Sequence, residues 1–321
     1  MKNANETSMT DFELTGFQDL QHFHVLLFVT LLFTYSLILM GNIVIITLIQ
    51  TSPRFHIPMY HFIAMLATLE MCYTTVTIPK MLVDLLQRQK RISFGGCLVQ
   101  IYFFHALGIT EACLLTVMAY DRFLAICTPL SYPTTMTTKF CFQLVVGCCT
   151  CGFACPLPEI VLISKLPFCG PNHIEHIFCD FPPLFHLPCA DISRIIMTDF
   201  IIHSLVILGP VFLILLSYVK ILTVVIKIQS SEGRQKAFST CASHLIVVFA
   251  FFGTTGFMYV RLTQARSLHY ERVIAMIYAV LTPLFNPIVY SLRNKEIQEE
   301  IRKIIKLPNL SFRRTWRHVG C

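Results

Sequence analysis

Apolar residues run in seven long blocks, near residues 25–49, 58–86, 97–127, 140–163, 197–228, 238–260 and 273–292, and polar residues collect between them. Each block is long enough to cross the hydrocarbon of a bilayer, which takes about 20 residues at helical rise. Pro158, Pro210 and Pro287 lie in or beside the blocks and argue against barrel strands, which would be shorter and alternate in polarity. A helix in lipid tolerates proline when its neighbours satisfy the freed carbonyl. The pattern predicts an all-α fold, a seven-transmembrane helix bundle over residues 25–293. A polar tail (1–24) precedes it, and a cytoplasmic segment (294–321) follows.

Composition supports a membrane solvent. Of the 321 residues, 55% are hydrophobic and 13% charged, against about 25% charged in an ordinary soluble domain. The polar start lacks the pattern of a cleavable signal peptide, so the first span is expected to direct insertion. Glu6, Asp11, Glu13 and Asp19 precede that span with a single lysine, whereas Lys295, Arg302, Lys303, Lys306, Arg313, Arg314 and Arg317 follow the last. Positive flanks stay in the cytoplasm, which puts the N-terminus outside and the C-terminus inside. Arg88, Lys90 and Arg91, on the side assigned outside, run against this rule and are outvoted by the two ends. The net charge of +7 is mostly this flanking effect and is no sign of nucleic-acid binding. Asn5-Glu6-Thr7 is a glycosylation sequon on the outer tail.

Cys97, Cys169, Cys179 and Cys189 fall in the segments assigned outside, where disulfides form. Four cysteines allow three pairings, and spacing does not choose among them. With His173, His176 and His186 the same loop offers a zinc-like spacing, though oxidised cysteines are no longer thiolate ligands. Cys141, Cys148, Cys149, Cys151 and Cys155 read as small packing residues of the fourth span.

Ionisable groups at membrane depth cost about 3 kcal/mol on insertion scales, which makes each a functional candidate. Glu70 and Glu111 lie near the middle of the second and third spans, where two carboxyls could share a sodium ion or a proton, or could both be protonated and hydrogen-bonded to neighbours. Asp121 and Arg122 end the third span. Arg122 alone could snorkel to the interface, but Tyr218 and His244 near the same ends of spans five and six suggest a switch in which the arginine pairs inward when closed. Span seven carries Asn286, Pro287 and Tyr290: a loosened turn at the proline, with two polar groups four residues apart on one face. Ile297, Ile301, Ile304 and Ile305 recur at helical spacing in a basic stretch, which predicts a short amphipathic helix in the interface plane.

Together these residues resemble the rhodopsin-like G-protein-coupled receptors, and within them the odorant receptors, over residues 10–306. The resemblance rests on Gly41-Asn42, Pro58-Met59-Tyr60, Met118 to Cys127, Ser217-Tyr218, Lys236 to His244 and Pro283 to Asn294, in that order. It implies bridges Cys97–Cys179 and Cys169–Cys189, activation residues Arg122, Tyr218, His244 and Tyr290, and a sodium site at Glu70 and Glu111. The family more often has aspartate where Glu70 stands; Phe123, Phe252 and Cys149 are further departures. The implied pocket comprises Phe104, His105, Gly108, Ile109, Ile202, His203, Val206, Phe252, Thr255 and Tyr259. Phe104 stands where amine receptors resemble one another in carrying an aspartate. The implied ligand is therefore a small, mostly neutral volatile, with His105, His203, Thr255 or Tyr259 donating to its oxygen.

The implied partner is a stimulatory olfactory-type G protein that raises cyclic AMP, and the implied location is the plasma membrane, in cilia of olfactory sensory neurons. No enzymatic activity is expected, since His-Glu-x-x-His and Gly-rich phosphate loops are absent. A multi-pass carrier using Glu70 and Glu111 is the competing reading, although the two halves show no internal repeat.

Overall fold

A computed structural model describes residues 11–168, 172–260 and 268–306; Asn5 and Cys169 lie outside them. Among the described residues seven helices are long and apolar enough to cross a membrane. The first five spans are His24–Thr51, Pro58–Leu86, Phe94–Cys127, Thr138–Ile163 and Ser193–Val225. The sixth helix is Ser231–Tyr259, and the seventh runs over 268–293 in three pieces. Starts are fixed locally: the side chains of Ser93, Thr137 and Ser230 accept from backbone N–H groups three residues on, and Pro58 occupies the first turn of its helix.

The bundle is inside-out relative to a soluble protein. Outward faces carry Val25 (76% exposed), Leu205 (68%) and Phe249 (81%). Apolar cover on that scale matches a hydrocarbon solvent. Polar groups turn inward: Asn42, Glu70, Glu111, Arg122 and Asn286 are all buried. The third span is the hub, with 67% of its apolar window buried against 17% for the fifth. Close approach to the fourth span depends on Gly152, where an added Cβ would fall 1.9 Å from Thr110 Oγ1 and 2.5 Å from the Ala106 carbonyl oxygen.

Two spans are irregular where proline removes a donor. The fourth stops at Ala154 and restarts as Leu157–Ile163, with Pro156 and Pro158 at the break. The seventh passes through a π-helical segment, Ile277–Leu281, just before Pro283. The loosening expected at Pro287 therefore lies a turn and a half upstream, because Pro283 cannot donate to the carbonyl four residues back. Pro287 itself sits within Thr282–Arg293, packed so that a Cβ on Gly41 would meet its ring at 3.3 Å.

A lid covers one end. Strand β1 (Asp11–Leu14) pairs antiparallel with β2 (Arg91–Ser93) and parallel with β3 (His173–Ile174), giving the order β2-β1-β3. Part of the polar tail is thus structured, as strand Asp11–Leu14 and the turn of helix Gln18–Phe23. Phe12, fully buried, packs edge-on against Phe168 at 5.6 Å between ring centroids. A disulfide joins Cys97 to Cys179, and Cys189 is also disulfide-bonded. At the opposite end Lys295–Lys306 forms the expected amphipathic helix with Ile297 buried. Asn294 caps it, the Tyr60 hydroxyl donates to Glu296 at 2.5 Å, and Arg54 pairs with Glu299 at 2.8 Å.

Gly152→Val is expected to force spans three and four apart at a cost of about 1–3 kcal/mol or more, lowering surface delivery and the thermal midpoint of purified receptor. Gly147→Val, where an added Cβ meets nothing within 4 Å, should leave both near wild type.

Candidate ligand pocket and switch residues

Beneath the lid, spans two, three, five and six line a cavity of about 40 Å³. Span three contributes Phe104, His105, Gly108 and Ile109, span five His203 and Val206, and span six Thr255 and Tyr259, all named from sequence. Ile202 and Phe252 do not line it. Their neighbours on the next face, His203 and Phe251, do, since one residue along a helix turns the side chain by about 100°. Tyr73, Ala112 and Ile207 complete the wall and were not anticipated. Tyr73 stacks on Phe104 at 4.6 Å between centroids, and its position one turn from Glu70 on an inward face was the available signal.

The main omission from the sequence reading is Asp180. It follows Cys179 directly and is fully buried. One oxygen accepts from His105 Nε2 at 2.9 Å and from the Phe181 N–H at 2.8 Å. The other accepts from the hydroxyls of Tyr259 at 2.7 Å and Tyr278 at 2.8 Å. Burial by itself raises the carboxyl, but the hydrogen bonds from His105 and Tyr259 and the nearby imidazoles of His105 and His176 outweigh it and hold the pKa at about 2. Asp180 is therefore an anion at neutral pH.

Its ionisation fixes protons further along. His105 Nε2 donates to Asp180; His105 Nδ1 meets His203 Nε2 at 3.3 Å; His203 Nδ1 donates to the Asp199 carbonyl at 2.9 Å. Both outer nitrogens donate and the inner pair shares one proton, so four nitrogens hold three protons and the two rings carry one positive charge. Thr255 donates to the Phe251 carbonyl at 2.7 Å. The four groups expected to donate to a ligand oxygen are thus already engaged within the protein. What they leave open is chiefly lone pairs on Thr255, Tyr259 and Tyr278.

At the far end Arg122 is buried, with Nη1 3.3 Å from Met59 Sδ and Nε without a partner among the described residues. Asp121 instead accepts from the Tyr132 hydroxyl at 2.8 Å. Among the described residues no ion pair holds Arg122 inward. His244 Nε2 points at the Leu115 carbonyl at 3.0 Å and must carry the proton, so Nδ1 accepts from Tyr218 at 2.8 Å. The buried Tyr290 hydroxyl has no partner among the described residues. Between pocket and far end, Asn286 donates to Glu70, which is also hydrogen-bonded to Glu111; Glu70 Oε2 and Glu111 Oε1 are buried without partners among the described residues. The zinc-like loop spacing loses its thiolates, because Cys179 and Cys189 are oxidised.

Asp180→Asn is expected to leave buried donors unmet, at on the order of 1–3 kcal/mol each, and to lower the thermal midpoint. Because the folded pKa is depressed, this contribution is present at neutral pH, persists down to the ordinary carboxylate range near 4, and is lost as pH falls through about 2. Thermal unfolding of purified receptor against pH checks both points: the variant should lack that acid-range loss.

The olfactory receptor family model matches residues 31–307. The chain is 51% identical to human olfactory receptor 6N1 over 306 residues, covering 95% of this chain and 98% of that one. It is 52% identical to human olfactory receptor 6K2, covering 97% of each, and 44% identical to mouse olfactory receptor 6B9, covering 94% and 95%. A match of that length, on a seven-helix membrane bundle with the bridge Cys97–Cys179, establishes that the chain belongs to the olfactory receptor family.

Proposed function

We propose that this receptor takes up a small, largely apolar volatile in the cavity between spans three, five and six and signals through a stimulatory olfactory-type G protein that raises cyclic AMP. The observation that carries the reading is the cavity itself: apolar side chains such as Phe104, Ile109, Val206 and Ile207 dominate its wall. No unpaired acid faces a cationic amine there, because Asp180 is saturated by four donors. With the protein donors engaged, a ligand hydroxyl would donate to the Thr255 or Tyr259 oxygen, while a bare hydrocarbon end would lie against Phe104 and Ile109. Tail charges support a lid facing outward and an amphipathic helix facing the cytoplasm, with Asn5 open to glycosylation. The site of action follows as the plasma membrane, in the cilia of olfactory neurons.

The inner half serves as the switch. Arg122 is buried beside Met59 without an acid partner among the described residues, and inward closure rests on packing and on the Tyr218–His244–Leu115 chain of hydrogen bonds. Opening would release Arg122 toward the G protein and let the Tyr290 hydroxyl find a partner. Glu70 and Glu111 fit a sodium ion through the two carboxylate oxygens that lack partners, a hard-oxygen donor set suited to such a cation.

Screening volatiles against cells that express the receptor is expected to give odorant-dependent cyclic AMP, abolished in Arg122→Ala at unchanged surface level; a surviving response rejects the role of Arg122. Gly108→Ile, which fills the cavity from its wall, should lower potency by about tenfold or more, on the order of 1.4 kcal/mol of binding. Ile202→Ala, off the wall, should change it less than about threefold.

A further inference from the structure

Outside the pocket proper, on the facing sides of spans four and five, three side chains converge: Glu159, Asp199 and His203. All are buried, and one ligating atom from each lies within 4.8 Å of the other two. Asp199 and His203 are four residues apart on one helical face, with His203 Nδ1 3.1 Å from Asp199 Oδ1. Glu159 comes from the restarted segment Leu157–Ile163. It is completely buried, and neither of its oxygens has a hydrogen-bond partner among the described residues; Asp199 Oδ1 lacks one as well. Two unsatisfied oxygens on Glu159, beside an Asp199 oxygen that meets only the His203 ring, are an expensive arrangement at membrane depth unless something binds them.

We infer that Glu159, Asp199 and His203 bind a divalent first-row transition metal of the zinc type. One imidazole nitrogen and two carboxylates form a borderline donor set of this class, and three protein ligands leave a fourth position for water. Charge supports the assignment. Two carboxylates and a neutral imidazole balance a dication, whereas without it Glu159, buried with no partner among the described residues, holds its proton. Binding displaces the Nδ1 proton of His203 and the carboxyl proton of Glu159 to bulk solvent and turns the His203 nitrogen from the Asp199 carbonyl to the metal.

The outer shell is already in place. His203 Nε2 lies 3.3 Å from His105 Nδ1, and His105 in turn donates to Asp180. With the metal on Nδ1, Nε2 keeps its proton and donates along this line, as a ligating histidine requires. Since His203 also lines the cavity, the ion holds one polar wall of the pocket in a single orientation. Glu159 and Asp199 are positioned away from the cavity lining and act only on the metal.

Full-length receptor, purified in detergent and stripped with a chelator, is titrated with Co²⁺ and then challenged with Zn²⁺. The expected result is one Co²⁺ equivalent with visible ligand-field bands and without the intense near-ultraviolet band of thiolate ligation, displaced by Zn²⁺. Glu159→Gln and Asp199→Asn should each weaken that binding by at least tenfold while the thermal midpoint in chelator stays near wild type. Glu159→His, which restores a ligand, should bind again, and it decides the matter where the glutamine variant fails to fold. The inference is overturned by wild-type receptor showing no such bands, by Co²⁺ absorbing with thiolate character only, or by unchanged affinity in the folded variants. Because the readout is metal binding without odorant, a failure here is distinct from a failure of the receptor to signal.

Discussion

A single buried carboxylate ties the lid to the bundle. Asp180 sits one residue from the Cys97–Cys179 bridge, so the disulfide delivers its carboxylate to the mouth of the bundle. There it gathers donors from three spans: His105 from the third, Tyr259 from the sixth and Tyr278 from the seventh. An anion in that place is tolerable only while those donors converge, and a donor that leaves exposes the full desolvation cost. The lid, the upper ends of the spans and the pocket roof therefore share one geometry. The bridge supplies proximity, and the hydrogen bonds supply register.

The same constraint orders the rest of the interior. Between helices lipid offers no hydrophobic drive for association, so close packing and buried polar contacts set which faces meet. Gly152 lets spans three and four touch through backbone, and Asn286 reaches Glu70 to join spans two and seven. The outward faces need only be apolar, and Val25, Leu205 and Phe249 serve there without specific partners. Most of the information in the chain is thus concentrated in a narrow set of inward positions, which explains why a few short strings carried the family resemblance.

Hydropathy located all seven spans, because an apolar run of that length has few other uses. It could not reveal the lid: β1, β2 and β3 have four, three and two residues, too short for a period, and their partners are distant in sequence. Asp180 was missed for a related reason, since an acid in a loop reads as solvated unless the loop is known to fold inward. Ile202 and Phe252 stand one step from residues that line the cavity, an offset of about 100° around a helix that no hydropathy pattern resolves. The π segment at Ile277–Leu281 has its cause in Pro283, whereas attention to Pro287 placed the irregularity too far along the chain.

Pocket and switch share the sixth helix, with Tyr259 near one end and His244 fifteen residues earlier, about 22 Å apart at helical rise. At the lid end Tyr259 is held by Asp180 and Tyr278; at the far end His244 is held by Tyr218 and Leu115. The far-end pair are neutral hydrogen bonds worth on the order of 1 kcal/mol each, whereas the bond to Asp180 is charge-assisted; among the described residues Arg122 has no ion pair to break. The far end is consequently the more lightly held of the two. A ligand shifts such an equilibrium only by the difference in its affinity for the two arrangements, and a small volatile that competes for the Tyr259 oxygen has only a few kcal/mol to offer. A strong salt bridge at Arg122 would exceed that supply. In the proposed switch, packing and two neutral hydrogen bonds would close the inner half, and these lie within that supply.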